Sequence, residues 1–246
     1  MVDLILMKME ITEVEMDGYD SQGCLHEIFR RQARKTPDNW AINGHITFKS
    51  LDYRSDCLAV KLGQCGVGVN TVVGILMDRS YWQYVVSVLG ILKAGAAYLP
   101  LEVSYPQHLL DSVLEDATPL VVCTTTNFVD RFHKMEKSRV INMDELDYDQ
   151  YIKWNNYCNK MTPASVPVSL DDMACIVYSS GTTGKPKGTR FTHRDALFSH
   201  TWKHRAYPYK KNDRVAVRSA WDILGPLIKG NLFNPVVRNS PKLLDQ

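Results

Sequence analysis

The residues best equipped for chemistry are Tyr178 to Gly188, YSSGTTGKPKG, which follow directly on the apolar run Ala174 to Tyr178. Glycines at 181, 184 and 188 let a backbone approach an anion closely and turn its N–H groups inward. The hydroxyl side chains add donors, and Lys185 and Lys187 add positive charge. These are the ingredients of a polyphosphate cradle. The Walker arrangement G-x-x-x-x-G-K-[ST] is excluded, because Gly184-Lys185 is followed by Pro186 and no glycine stands five residues before Gly184. The loop therefore belongs to another class of nucleotide site. A solvated Ser/Thr/Gly turn is the plain alternative, and the ordered Pro and Lys positions behind a strand weigh against it.

Few other residues compete with this loop. Thr192 with Asp195 three residues on reads as a capping box that opens the next helix, and His193 in its first turn reads as structural. His200 and His204 are four apart, but no third ligand candidate accompanies them, so a packed or solvated role is expected rather than a metal site. Tyr148, Tyr151, Trp154 and Tyr157 recur every three residues. With only Lys153 and Lys160 among them they read as a packing stripe, not a platform for bases. No catalytic side chain and no metal ligand is assigned.

The loop resembles the signature [YT]-S-G-[ST]-T-G-x-P-K-G of the adenylate-forming (AMP-binding) superfamily, which includes acyl-CoA synthetases, luciferases and the adenylation domains of nonribosomal peptide synthetases. Tyr178, Ser180, Gly181, Thr182, Thr183, Gly184, Pro186, Lys187 and Gly188 carry the match. A second block, LKAGAAYLPLE at Leu92 to Glu102 with Ser104-Tyr105-Pro106 behind it, is similar to the LKAGAAYVPLDPSYP segment of the peptide-synthetase branch. ITFKSL at Ile46 to Leu51 is similar to that branch's LTYxEL. The resemblance implies an enzyme in which a carboxylate attacks the α-phosphorus of ATP, giving an acyl-adenylate and pyrophosphate, before the acyl group passes to a thiol or an amine. By the same resemblance Ser179, Ser180, Gly181, Thr182, Thr183, Gly184 and Lys187 bind the ATP phosphates and Mg²⁺ offsets charge. Lys185 falls on the variable position and is solvated. The implied partners are a carboxylic or amino acid substrate and a phosphopantetheine carrier domain.

Aligning Trp221-Asp222-Ile223-Leu224-Gly225-Pro226-Leu227 with the family's w-E-i-f-g-P-L puts Val217 where amino-acid-activating members carry an Asp for the substrate amine. Leu109 stands where an Arg is usual. Nothing after Gln246 corresponds to the family's T-G-D motif, hinge or mobile C-terminal subdomain. The expectation is a polar leader over residues 1–22 and a partial adenylation domain over 23–246 that is inactive alone. The competing expectation is a noncatalytic binding or interaction protein derived from such a domain.

The elements that must position the loop are legible as alternating patterns. Leu25, Ile28, Phe29 and Ala33 have helical spacing; Ala41-Ile42 and Ile46 to Phe48 read as a hairpin around Asn43-Gly44-His45. A helix is expected from Ser50, with Leu51, Leu58 and Leu62 inward and Gly63 and Gly66 at its end. Val72 to Met77 is an unbroken apolar run suited to a parallel strand covered on both faces. Helices are expected over Tyr81 to Lys93, from Pro106 to Asp116 and over Phe128 to Met135, with strands at Leu120 to Cys123, Val140-Ile141 and Met173 to Tyr178. This βαβα order predicts an α/β fold, a doubly wound, mostly parallel sheet with flanking helices: the N-terminal portion of an adenylate-forming enzyme's large domain.

Composition narrows the functional classes. The 246 residues carry 29 Lys and Arg against 27 Asp and Glu, a net charge of +2, with 45% apolar residues. That is an ordinary globular balance, without the basic field that nucleic acid or an anionic membrane would select. No apolar run approaches the roughly 20 residues of a membrane span. Six scattered cysteines without a CxxC fit a reducing, cytoplasmic setting.

Overall fold

The computed structural model describes residues 23–42, 44–148, 167–179, 186–208, 214–217, 224–229 and 232–235. The expected leader over 1–22, Asn43 of the hairpin turn, and Tyr151, Trp154 and Tyr157 of the aromatic series lie outside these.

Helix α1, Leu25–Lys35, buries Leu25, Ile28, Phe29 and Ala33, as its spacing predicts. Strands β1, Trp40–Ile42, and β2, Ile46–Thr47, form the expected antiparallel pair. Helix α2, Phe48–Gln64, begins two residues before Ser50, because the Thr47 hydroxyl accepts the Ser50 N–H at 3.2 Å and thereby caps the turn earlier. It ends in a Schellman motif. Val67 N–H donates to Leu62 carbonyl, Gly66 N–H donates to Gly63 carbonyl, and Gly66 takes φ +82°.

Strand β3, Val72–Leu76, is followed by α3, Trp82–Lys93, whose residues from Tyr84 onward are all buried. Strand β4, Ala97–Pro100, was not among the expected strands; it runs parallel to β3 and starts after the three small residues Ala94, Gly95 and Ala96 that follow α3. Helix α4, Gln107–Ala117, starts one residue later than expected, since Pro106 is extended (ψ 152°) and acts as the N-cap residue. Strand β5, Val121–Thr124, lies on the other side of β3, and β6, Val140–Asn142, lies beyond it.

The α-helix expected over Phe128 to Met135 is corrected. Thr126–Phe132 is instead a 3-10 helix. Tertiary hydrogen bonds tighten it. The Asp144 carboxylate accepts the Thr126 N–H at 2.9 Å, while Arg131 donates to the Val103 and Tyr105 carbonyls and pulls the segment onto the loop before α4.

Strands β7, Met173–Ser179, and β8, Lys187–Thr192, complete a six-stranded sheet of order β6-β5-β3-β4-β7-β8. All pairs are parallel except β7 with β8, so the mostly parallel doubly wound sheet stands. Side chains alternate across it. Val73, Ile75, Tyr98, Val121 and Cys123 face the core shared with α1, α2 and α3, whereas Leu76, Leu99, Val122 and Ile176 face α4 and Phe132. A register shift between Met173 and Cys175 lets the consecutive Ala174 and Cys175 join the same core.

The chain continues through α5, His193–Ala206, β9, Arg214–Val217, α6, Leu224–Ile228, and β10, Leu232–Pro235. Strand β10 pairs in parallel with both β1 and β9, making a second sheet of order β2-β1-β10-β9. Among the described residues Cys24, Cys57, Cys65, Cys123 and Cys175 are free thiols; burial pushes those of Cys123 and Cys175 up to about 12, where they are inert. No helix among the described residues is long and apolar enough to cross a membrane.

Candidate functional site

Strand β7 leaves the core as it advances. Ala174, Cys175 and Ile176 are buried, Val177 and Tyr178 half-buried, and Ser179 exposed. The candidate loop is therefore delivered to the carboxyl edge of the parallel strands, where ligands of open α/β sheets bind. Strand β8 returns antiparallel with Ser179 opposite Lys187, Tyr178 opposite Gly188 and Val177 opposite Thr189. Strands β7 and β8 thus form a paired neck on either side of the loop.

Of the residues expected to hold phosphates, Ser179 and Lys187 are brought face to face at that neck, with Lys187 exposed. Ser180, Gly181, Thr182, Thr183 and Gly184, together with Lys185, lie outside the described residues. Among the described residues no carboxylate pairs with Lys187, whereas Arg194, past the other end of β8, is held by Asp171 at 2.8 Å. A cation on a strand beside a glycine-rich tip suits a polyanion.

Tyr178 has a different task from the one the signature suggests. Counted back from Gly188, the leading position of the pattern falls on Ser179, and Tyr178 stands one residue earlier. Its ring lies over Gly188: a Cβ there would sit 2.9 Å from Tyr178 Cζ and 3.0 Å from Cε2, so any side chain at 188 would have to displace the ring. Its hydroxyl donates to the Asp116 carboxylate near the end of α4. Partial burial and the Asp116 charge together push the phenol above its usual range. Asp116 entered the sequence reading only as a helix end. Its signal was an acidic residue in the last turn of α4, against the helix dipole and with no basic residue in that turn.

The same sheet edge carries a second pair missed by sequence. Arg79, in the turn after β3, is bonded to Glu102, in the turn after β4, each about a quarter exposed. It ties the connection after β3 to the one after β4, the strand that pairs with β7, and its signal was a charged residue soon after each apolar run.

The capping box at Thr192 forms as expected: its hydroxyl accepts the Asp195 N–H at 3.1 Å and the Asp195 carboxylate accepts the Thr192 N–H at 2.8 Å. His193 is structural. It is fully buried, its Nδ1 accepts the Leu25 N–H at 3.3 Å, and its ring meets that of buried His26 edge-on at 5.7 Å. Burial lowers the two imidazoles, His193 to about 4 and His26 to about 3, from an ordinary 6.5. Both stay neutral in the fold but charge in the unfolded chain, so the unfolded state binds more protons below pH 6.5. Stability is expected to be full above about pH 6.5 and to fall as the pH drops toward 4, by about 1.4 kcal/mol per pH unit for each imidazole. Urea unfolding at pH 7.5, 6, 5 and 4.5 measures this, and a flat profile would contradict it. Replacing His26 with Phe should shallow the slope.

His200 is buried in α5, and no group of three His, Cys, Asp or Glu side chains among the described residues could hold a metal ion. Tyr148, first of the aromatic series, packs as a stripe residue: its ring tilts against Trp82 at 6.0 Å, and the Arg54 guanidinium lies 4.5 Å and 5.0 Å from the two ring centres. Val217 closes β9 with its backbone in register with Pro235, and Trp221 and Asp222 lie outside the described residues.

Comparison with known proteins places this geometry. The chain is 36% identical over 222 residues to glycine betaine reductase ATRR of Emericella nidulans, covering 86% of this chain and 16% of that protein. It is 32% identical over 201 residues to zwittermicin A synthase ZmaJ of Bacillus cereus, covering 80% and 36%. The chain thus spans about a third or less of these curated relatives. The AMPPNP-bound structure of the nonribosomal peptide synthetase FmoA3 superposes with a TM-score of 0.72 at 27% identity, over 86% of this chain and 22% of that one. The model of the AMP-binding enzymes matches residues 29–226, a stretch that contains the parallel sheet, the β7–β8 hairpin and its loop. The chain belongs to the AMP-binding enzyme family and is related to the adenylation domains of nonribosomal peptide synthetases.

Proposed function

We infer that this chain supplies the ATP-phosphate side of an enzyme that activates a carboxylic or amino acid as its acyl-adenylate, for transfer to a carrier thiol or an amine. The observation that carries this is the hairpin neck at the carboxyl edge of the parallel strands, with Ser179 opposite Lys187. A carboxylate oxygen forms a bond to the α-phosphorus, the bond to pyrophosphate breaks, and negative charge moves onto the departing group. Lys187 and the donors of Ser179 to Gly184 offset that charge. Mg²⁺, if bound, would neutralise phosphate charge; among the described residues no group of three His, Cys, Asp or Glu side chains is placed to hold it. The FmoA3 structure is an AMPPNP-bound form, which supports the nucleotide reading.

The substrate reading follows from Val217. An apolar residue there offers no carboxylate to a primary α-amine, and one relative is named for glycine betaine, whose quaternary ammonium donates no hydrogen bond. The acid is therefore one whose amine is quaternary, displaced or missing. The test is ATP–pyrophosphate exchange by the full protein across glycine betaine, aryl and aliphatic acids, β-amino acids and the common α-amino acids. Exchange with a member of the first groups is expected, and a strong preference for an ordinary α-amino acid overturns the substrate reading. ATP binding without exchange for any acid would favour a noncatalytic binding protein. The 246 residues alone are expected to show no exchange above background, because the relatives extend far beyond the matched region.

A further inference from the structure

We propose that Tyr178 and Asp116 form a latch that fixes the β7–β8 neck and with it the positions of Ser179 and Lys187, a role resting on the nucleotide reading above. Three observations converge on it. Tyr178 is one rung below the neck pair Ser179 and Lys187, so a displacement of its backbone moves both phosphate-facing residues together. Its ring occupies the space above Gly188, its cross-strand partner, and thereby holds β8 against β7 in the manner of an aromatic laid over a strand glycine. Its hydroxyl is bonded to Asp116, which anchors this rung to α4 on the sheet face lined by Leu110 and Val113.

The Asp116 carboxylate stands at the wrong end of its helix. The last turn of α4 holds no basic residue, and Thr118 closes it in the left-handed region at φ 43°. An anion there is disfavoured by the helix dipole, and the bond from Tyr178 supplies what the helix does not. A site that breaks the local rule of its own helix while satisfying a contact 62 residues away is placed for that contact. The latch ties the nucleotide-facing hairpin to a helix on the far face of the sheet. Tyr178 and Asp116 are positioning residues; neither touches a reacting atom.

The experiment uses the full protein with ATP as the probe. Tyr178→Phe keeps the ring over Gly188 and removes only the hydroxyl. It is expected to raise KM for ATP about tenfold, the factor equivalent to about 1.4 kcal/mol, with kcat and KM for the acid within about twofold of the unmodified enzyme. Asp116→Ala should match it, the double variant should be no worse than either single one, and Asp116→Asn, which keeps an acceptor, should restore most of the affinity. Hydrogen exchange at residues 176–179 and 187–190 should quicken in Tyr178→Phe without nucleotide present. A lowered melting temperature with unchanged KM for ATP and unchanged exchange at the neck would make the pair merely structural and overturn the latch. If the unmodified protein binds no ATP, the nucleotide reading fails, while neck exchange still decides whether Tyr178 and Asp116 hold the hairpin.

Discussion

Lys187→Ala is expected to slow adenylate formation by about 10²–10³-fold, the usual cost of deleting one preorganised group that meets developing negative charge. Lys185→Ala should change it by no more than about twofold, as for a solvated surface charge. The two lysines are two residues apart in a loop of mixed polar character, so bulk electrostatics treats them alike. Geometry separates them. Lys187 is the first residue of β8 and is fixed by pairing opposite Ser179, whereas Lys185 precedes Pro186, before the strand begins. Because the ladder already fixes the Lys187 backbone, only its side chain remains to be ordered when phosphate arrives. The measurement is single-turnover formation of acyl-adenylate at saturating acid, with KM for ATP taken in parallel. Equal losses in both variants, or in neither, would remove the assignment of Lys187.

The second large effect is on stability. Lys93, the last residue of α3, has a side chain only 1% exposed, and its ammonium lies 2.6 Å from Asp52 and 2.8 Å from Asp56, both on α2. It also donates to the Asp52 carbonyl at 2.8 Å, while Arg30 of α1 reaches Asp56 at 2.7 Å. Three helices thus meet at one ion cluster beneath Phe29, whose ring centre is 5.8 Å from the ammonium. Removing the lysine leaves two half-buried carboxylates facing each other with a single guanidinium between them. Lys93→Met is expected to destabilise the protein by about 3–5 kcal/mol, as for other buried pairs deprived of one partner, against about 5–15 kcal/mol for a whole domain. The methionine keeps the aliphatic volume, so the loss reports on charge. Adding Asp52→Leu should recover part of it, since Arg30 and Asp56 still pair. Urea unfolding of both variants at pH 7.5 measures this; a loss below about 1 kcal/mol in Lys93→Met would show that water reaches the cluster.

This cluster also shows where sequence reading stops. Lys93 belongs to the block LKAGAAYLPLE, which pointed to the family and located the end of a helix, but nothing in the block names Asp52 or Asp56, 41 and 37 positions earlier. The 3-10 helix at Thr126–Phe132 failed as an α-helix for the same reason. Its local pattern was helical, and the bonds that tightened it came from Asp144 and Arg131's distant acceptors. Strand β4 was missed because two alanines and a closing proline hide a buried strand that is specified by its neighbours β3 and β7.

What the amino-acid sequence determined by itself is what short-range physics encodes. Helix bonds span four residues and strand faces alternate every two, so α1, α2, α3, the strands β3, β5, β6 and β7, the Thr192 cap and the composition of the glycine-rich loop are all written in local spacing. The family signature belongs with them, being a contiguous run. Tertiary structure decided the rest: the pairing of Ile42 with Phe233 that builds the second sheet, the bond from Leu25 to His193 across 168 residues, and the Tyr178 hydroxyl on Asp116. Each of these depends on which crossovers close and on which faces of the sheet are covered, and no local window contains both partners. The loop's composition was therefore legible in its residues, while the paired β7–β8 neck that flanks it and the contact of that neck with α4 became visible only in the folded chain.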